Sequence, residues 1–548
     1  MRPTQSDSAQ LGILAALVLL TLTVLSNAQE PTKPAPLPVP AEFDLVVLGG
    51  EIVDGSGEPV RRADLGVVDG RIASIGELGG KSAKATIDAR GRVVAPGFID
   101  LHAHADTVAL RRNDAQNFVA MGVTSIITGN CGGSVEDVGA HLQAIEARGI
   151  ALNYGTLIGH GTVRSAVMGT ANREPSAEEL RAMAELVDRA MASGAFGMST
   201  GLIYVPGTYA KLDELIALSK VVAKHNGRYV SHMRNEGDHL LDAVREAIAI
   251  GEGAKLPIHL SHLKVSGRNN HGDSDALVEL LEQTRRDGVA LTGDQYAYTA
   301  SSTSLDVLFP SSALSIGRKA FCTKLAEDLE FRERMVTALL KDMERSGFGD
   351  LGYAQVAHAP GSAEATGLRL PAIAERERGA RGPRDQAEAA IDLMVRSNGA
   401  RIQMIYHKMA EPDVERIMKL PFVAIASDAG IRAIETADKP HPRGAGNNPR
   451  VLGHYVRERE VIDLPLAVRK MTALPAECFG IRDRGVIREG AFADLVVFDE
   501  KTILDRATYD EPTAAPTGID WVLVNGVIVM DHGKQTKARP GKVLRAGD

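Results

Sequence analysis

Between residues 98 and 428 the chain alternates strand-like and helix-like stretches, and this alternation constrains its fold more than any other feature. Short runs of strand character end near His104, Gly129, Gly159, Thr200, His232, His262, Asp294 and Asp428. Helix-period stretches at 177–193, 211–226, 240–253 and 276–287 separate most of them. Eight such units in succession predict an α/β chain built as a closed parallel (β/α)8 barrel over residues 96–484. The gap between the seventh and eighth strands is too long for one crossover. Within it, 315–347 reads as charged helix and 364–382 as a polar, Gly/Arg-rich loop. An insertion at about 310–400 is expected near the barrel mouth, where such folds vary most.

The two ends of the chain read differently. Residues 43–95 and 485–545 carry short β-rich runs, with Asp69-Gly70 and Asn525-Gly526 as hairpin signals. Together they predict a small β-sandwich domain built from both ends. Ahead of it, Arg2, the apolar run Leu11–Leu25 and the small residues Ser26-Asn27-Ala28 have the layout of a secretory signal peptide over residues 1–28. Its roughly 15 apolar residues fall short of the ~20 that span a bilayer. Residues 29–42, with five prolines in 29–41, read as an extended linker. The expectation is export, to a periplasm, with no membrane span after cleavage.

Composition excludes several classes. A net charge of −8 over 548 residues leaves no basic stripe for nucleic acid. Three cysteines, Cys131, Cys322 and Cys478, are too few for a disulfide scaffold, although one Cys322–Cys478 bridge remains open.

Six polar residues stand at or just past five of the strand ends. His102 and His104 share one strand face, because side chains at i and i+2 point the same way. Cys131 follows the second strand in Thr128-Gly-Asn-Cys-Gly-Gly. His232 ends the fifth, His262 the sixth and Asp428 the eighth. A closed barrel gathers these ends at one mouth. Imidazole and thiolate are good zinc ligands, zinc makes a bound water acidic, and a carboxylate beside it can move a proton. Taken singly, each residue is better read as an ordinary hydrogen-bonding or buried group; their coincidence on one face points to a metal-dependent hydrolase. His160 follows the third strand and is a weaker candidate for the pocket, and the facing of His259 is open.

These residues resemble the amidohydrolase superfamily and, within it, the N-acyl-D-amino-acid deacylases (D-aminoacylases). The likeness runs from about Phe43 to Arg545. It rests on Gly97-Phe-Ile-Asp-Leu-His-Ala-His-Ala-Asp, Gly129-Asn-Cys-Gly, Ser199-Thr-Gly-Leu-Ile-Tyr-Val-Pro-Gly, Ser231-His-Met-Arg, Ser261-His-Leu-Lys and Tyr298-Thr-Ala-Ser-Ser-Thr. The resemblance implies a tight zinc site at Cys131, His232 and His262, and a second, weaker site at His102 and His104. It implies Asp428 as the catalytic acid/base and Arg443, in His441-Pro-Arg, as the grip on the substrate carboxylate. It also implies substrate contacts at Tyr296, Lys264 and Ser302. The substrate would be a small N-acyl-D-amino acid. Two departures bear on the side-chain pocket: Asp428 is followed by Ala429 rather than directly by Gly, and Gly444-Ala-Gly-Asn-Asn follows Arg443 where the family places an aromatic. The runner-up readings are a cyclic amidase of the dihydroorotase or hydantoinase kind and a non-catalytic exported binding protein. The first usually carries a bridging lysine on the fourth strand, and Phe196-Gly-Met-Ser-Thr-Gly has none.

Overall fold

The computed structural model describes residues 40, 42–433 and 436–548. The expected signal peptide and nearly all of the linker lie outside them. No described helix is long and apolar enough to cross a membrane.

Eight barrel strands follow in order. They are Phe98–Asp100 (β1), Val123–Thr128 (β2), Asn153–Thr156 continued by Ile158–Gly159 (β3), Gly197–Gly201 (β4), Arg228–His232 (β5), Ile258–Leu260 (β6), Leu291–Gln295 (β7) and Val423–Ile425 (β8). Each pairs parallel with the next, from β1–β2 through to β7–β8. The ring closes just past the strand ends. Ala103 bridges Ala429 in parallel, and the His104 N–H donates to the Ala429 carbonyl at 2.8 Å. Covered on both faces, strands such as β2, β4 and β6 are buried at every position, their Thr, Ser and His residues included.

The crossover helices follow the periodicity closely: Ala177–Ala192, Leu212–Lys224, Leu240–Ala254 and Ser274–Arg286. The first shows how local chemistry sets a boundary. Ser176 accepts from the Glu179 N–H, and the Glu179 carboxylate accepts from the Ser176 N–H, so two otherwise unpaired donors are satisfied. Met183, Val187, Ala190 and Met191 then form its buried face.

Both chain ends share one nine-stranded sheet. Leu495–Phe498 pairs antiparallel with Val93–Pro96, which in turn pairs with Phe43–Ile52. Leu45, Val47, Leu65, Ile72, Leu495 and Leu523 pack one of its faces.

The segment between β7 and β8 departs from expectation. It starts earlier and ends later than 310–400, because Ser301–Ser304, Ala354–His358 and Gln403–Tyr406 pair into an antiparallel sheet. That sheet and its helices have their own core, including Phe321, Leu339, Val356, Ile373, Leu393 and Met404. The stretch read as polar loop contains the helix Leu370–Arg378. Its Leu370, Ile373 and Ala374 are buried at helical spacing, while the dense Arg/Glu face that suggested a loop is solvated. The charged helix is two helices, Arg318–Glu327 and Leu329–Arg345, separated at Asp328, whose side chain caps the second. The Cys322–Cys478 bridge does not form. Cys322 lies in the insertion core, Cys478 in a separate cluster with Phe479, and all three cysteines are free.

Candidate active site

Three residues at the barrel mouth hold backbone conformations that L residues rarely adopt. Cys131 has φ 53°, His262 φ 36° and Asp428 φ 52°. Each lies past the end of its strand, so β6 and β8 stop short of the residues that seemed to end them. Left-handed backbone at a non-glycine residue persists only where its surroundings impose it, and such residues cluster at functional sites. Here it turns three side chains toward a common centre. Gly201 makes room for this: a Cβ there would meet the Cys131 carbonyl oxygen at 2.2 Å.

The centre is compact. Cys131 Sγ, His232 and His262 offer ligand atoms that all lie within 4.8 Å of one another. His262 Nε2 is 2.7 Å from His232 Nδ1 and 3.5 Å from Cys131 Sγ. A second group shares the sulfur: His102 Nε2 lies 3.2 Å from it, and His104 completes the set. One thiolate and two imidazoles at this spacing suit a zinc ion that keeps an open position. Burial works against the Cys131 thiolate, but His102, His232 and His262 outweigh it and hold the thiol well below its ordinary 9.0.

Outer partners set the imidazoles. Asp294, on β7, lies 3.1 Å from His102 Nδ1 and 2.9 Å from His259 Nε2, and accepts the His262 N–H at 2.7 Å. Glu236 lies 2.9 Å from His262 Nδ1 and pairs with Lys264. With His262 Nδ1–H donating to that carboxylate, its Nε2 lone pair is free for a metal. Asp100 accepts the N–H groups of His102 and Ser427, which ties the first strand to the last.

Asp428 faces this centre. Its Oδ1 is 2.9 Å from His104 Nε2 and 3.6 Å from His102 Nε2, and its Oδ2 is 2.9 Å from Arg443 Nη1. Burial favours its neutral form, but Arg443, His102, His104 and His262 hold it well below 3.8, so it is ionised. Arg443 is 4% exposed and its guanidinium lies over the Tyr296 ring at 4.6 Å. Its contact with Asp428 is misaligned for a hydrogen bond, and neither Nε nor Nη1 finds an acceptor.

The sequence-derived candidates except His102 and the weaker candidate His160 line one cavity of about 1090 Å³ at the mouth. His102 is buried beneath it. Lys264 is engaged by Glu236 and stands 2.7 Å from His262 Nδ1. The Ser302 hydroxyl is held within the insertion sheet, donating to the Met404 carbonyl and accepting from Gln403. His160 is buried behind the cavity, 2.9 Å from Glu214, and does not line it; His259 is buried against Asp294.

Sequence reasoning missed Asp294, Glu236, Tyr204 and His441. Asp294 had a signal, since it ends a barrel strand as the ligands do. Glu236 had none, because a loop carboxylate four residues past His232 shows no periodicity. The Tyr204 ring lies 4.8 Å from that of His232. His441 accepts the Arg443 N–H at 3.0 Å and donates to the Ala300 carbonyl at 2.8 Å, which fixes the start of the Arg443 helix.

A family model described as "Amidohydrolase family" matches residues 85–530. The chain belongs to the amidohydrolase family. This amidohydrolase is 36% identical to a D-aminoacylase of Alcaligenes xylosoxydans xylosoxydans, over 92% of this chain and 97% of that one. It is 37% identical to an N-acyl-D-glutamate deacylase from Bordetella bronchiseptica solved with zinc and a phosphonate mimic of the tetrahedral intermediate. That match has a TM-score of 0.79 and covers 92% of this chain and all of the other. A further D-aminoacylase structure, 34% identical with a TM-score of 0.78 and the same coverage, has a binuclear metal centre described by one-metal activation and second-metal attenuation.

Proposed function

We propose that this amidohydrolase hydrolyses the amide bond of N-acyl-D-amino acids, releasing a carboxylate and a free D-amino acid. One observation carries the reading. A buried arginine with two unaccepted N–H groups stands against an ionised aspartate, which itself faces a cysteine–histidine donor set. An anion-reading group, a proton-transfer group and metal ligands thus surround one point. The relatives that act on N-acyl-D-amino acids by name support the substrate and its hand.

Cys131, His232 and His262 would hold the tight zinc, and His102 and His104 would serve a second metal. When bound, zinc supplies Lewis acidity at the scissile carbonyl and makes a water acidic at neutral pH. Arg443 takes the α-carboxylate and so orients the amide. Asp428, ionised beforehand, accepts the proton of the attacking water. It then gives that proton to the departing nitrogen, which leaves as the amine. Tyr296 forms the wall under Arg443, and Lys264 keeps Glu236 and His262 in register. The absence of lysine from β4 disfavours the cyclic amidases, which bridge two metals with one. The apolar run and small residues ahead of residue 29 support export to a periplasm.

The test is a panel of paired D and L N-acyl amino acids with a hydantoin, assayed on zinc-loaded protein. Turnover confined to the D amides is expected. Turnover of the hydantoin alone would overturn the reading, and so would preference for the L series.

A further inference from the structure

One buried carboxamide joins the two loops that carry Asp428 and Arg443. Asn117 is 5% exposed and belongs to the short helix Gln116–Ala120, which packs against the helix Arg443–Arg450. Its Nδ2 donates to the Gly430 carbonyl at 3.2 Å and to the Gly444 carbonyl at 2.8 Å, and its Oδ1 accepts the Arg432 N–H at 3.0 Å. Two carbonyls and one N–H admit a single orientation of the amide, and every hydrogen it carries is used. An aspartate here would set its charge against two carbonyls. An apolar side chain would leave three main-chain groups to be buried unpaired.

The two loops are anchored in different ways. The Asp428 loop is set by the barrel seam, where the Ser427 N–H donates to Asp100 and Ala429 bridges Ala103. A Cβ on Gly430 would meet the His104 carbonyl oxygen at 2.9 Å, so this loop lies directly on the end of the first strand. The Arg443 side chain has little to hold it. Apart from its misaligned contact with Asp428, its guanidinium reaches one acceptor among the described residues, the Ser302 carbonyl at 3.4 Å. Main-chain placement therefore decides where the guanidinium stands. That placement is held by His441 just ahead of Arg443 and by Asn117 just behind it.

We propose that Asn117 is a positioning residue: by closing the segment from Gly430 to Gly444 at both ends, it keeps the Arg443 guanidinium in register with Asp428 and the metal donors. This rests on the deacylase reading above. Asn117 does not line the catalytic cavity, so it touches no substrate and acts through Arg443. With the α-carboxylate on Arg443 and the scissile carbonyl at the metal donors, the distance between those two points must match the substrate. A shift of ~1 Å in such a group costs about a hundredfold in rate.

The experiment is a double-mutant cycle on the zinc-loaded full chain, with the N-acyl-D-amino acid that the panel above turns over fastest. Asn117→Ala should lower kcat/KM by about ten- to a hundredfold, mostly through KM. In an Arg443→Met background the same substitution should change kcat/KM by less than about threefold, because the group it positions is gone. Zinc affinity, read by chelator competition, should stay at the wild-type value. Asn153 is the control: it is also buried, and it is bonded to Ser125, Asp494 and Asn525 away from the mouth. Asn153→Ala should lower the melting temperature and leave KM unchanged. An unchanged KM in Asn117→Ala overturns the proposal. So does an equal loss with and without Arg443, or a loss of zinc affinity that accounts for the lost turnover. If Asn117→Ala does not fold, Asn117→Asp is read in the same way, since it keeps the volume and the acceptor but removes both donors. Turnover of none of the D amides by the wild type is a separate result: it overturns the deacylase reading, and this proposal with it.

Discussion

Arg443 Nη1 lies 2.9 Å from Asp428 Oδ2 at the barrel mouth, so the group proposed to hold the substrate carboxylate and the group proposed to move the proton face each other. Both are nearly buried. On the proposed reading, a substrate carboxylate would compete with Asp428 for the guanidinium.

Arg443→Met should raise KM for N-acyl-D-amino acids strongly, because it removes both the carboxylate grip and the partner of a buried charge. Losing one member of such a pair costs about 2–5 kcal/mol. Arg443→Lys should recover little, since an ammonium cannot form the two-pronged contact. Separate kcat and KM measurements check this; an unchanged KM in Arg443→Met would place the α-carboxylate elsewhere.

Asp428→Asn should keep bound zinc and lose turnover by about 10²–10⁴-fold, the usual range for a positioned acid/base. Metal content and kcat on the same preparation are the readouts. Full turnover in the variant would remove Asp428 from the proton path.

Glu236→Gln should weaken zinc binding by about 10–100-fold, as loss of an outer partner of a ligating histidine does. Competition with a chromophoric chelator reads the affinity. Chelator treatment of the wild type should abolish turnover, and added zinc should restore it. Cys131→Ser should lose the tight metal more completely than Glu236→Gln, because it removes a donor outright.

Far from the mouth, Lys470 is 0% exposed and donates to the Leu420 carbonyl. Burial pushes its ammonium down from 10.5 to about 7, with only Cys478 opposing. Between those values the unfolded chain binds more protons than the folded one, so stability rises with pH across that window. Below about 7 the folded state carries the full cost of a buried charge. Lys470→Met should therefore raise the melting temperature most near pH 6–7, and the gain should shrink toward pH 10. Melting curves of both proteins at four pH values check the slope; a gain independent of pH would mean that Lys470 keeps its proton in the folded protein throughout that window.

The barrel was legible because each strand is buried on both faces and each helix on one, so burial wrote two distinct periods into the chain. Cys131, His232, His262 and Asp428 were legible because parallel strands deliver their ends to one mouth. What stayed hidden is set by tertiary contact. The left-handed φ at Cys131, His262 and Asp428 leaves no mark in residue type. The helix Leu370–Arg378 was obscured by its own charged face. Glu236 and His441 act through single hydrogen bonds, which have no period to detect.

The seam between Ala103 and Ala429 joins residues flanked by His102 and His104 on one side and by Asp428 on the other. Assembly of the reaction centre and completion of the ring are therefore one event, made from segments more than three hundred positions apart in the sequence. Until the last strand is in place, His104 lacks the carboxylate that lies 2.9 Å from its Nε2, so the segment that closes the ring is also the one that completes the cluster of charged groups at its mouth.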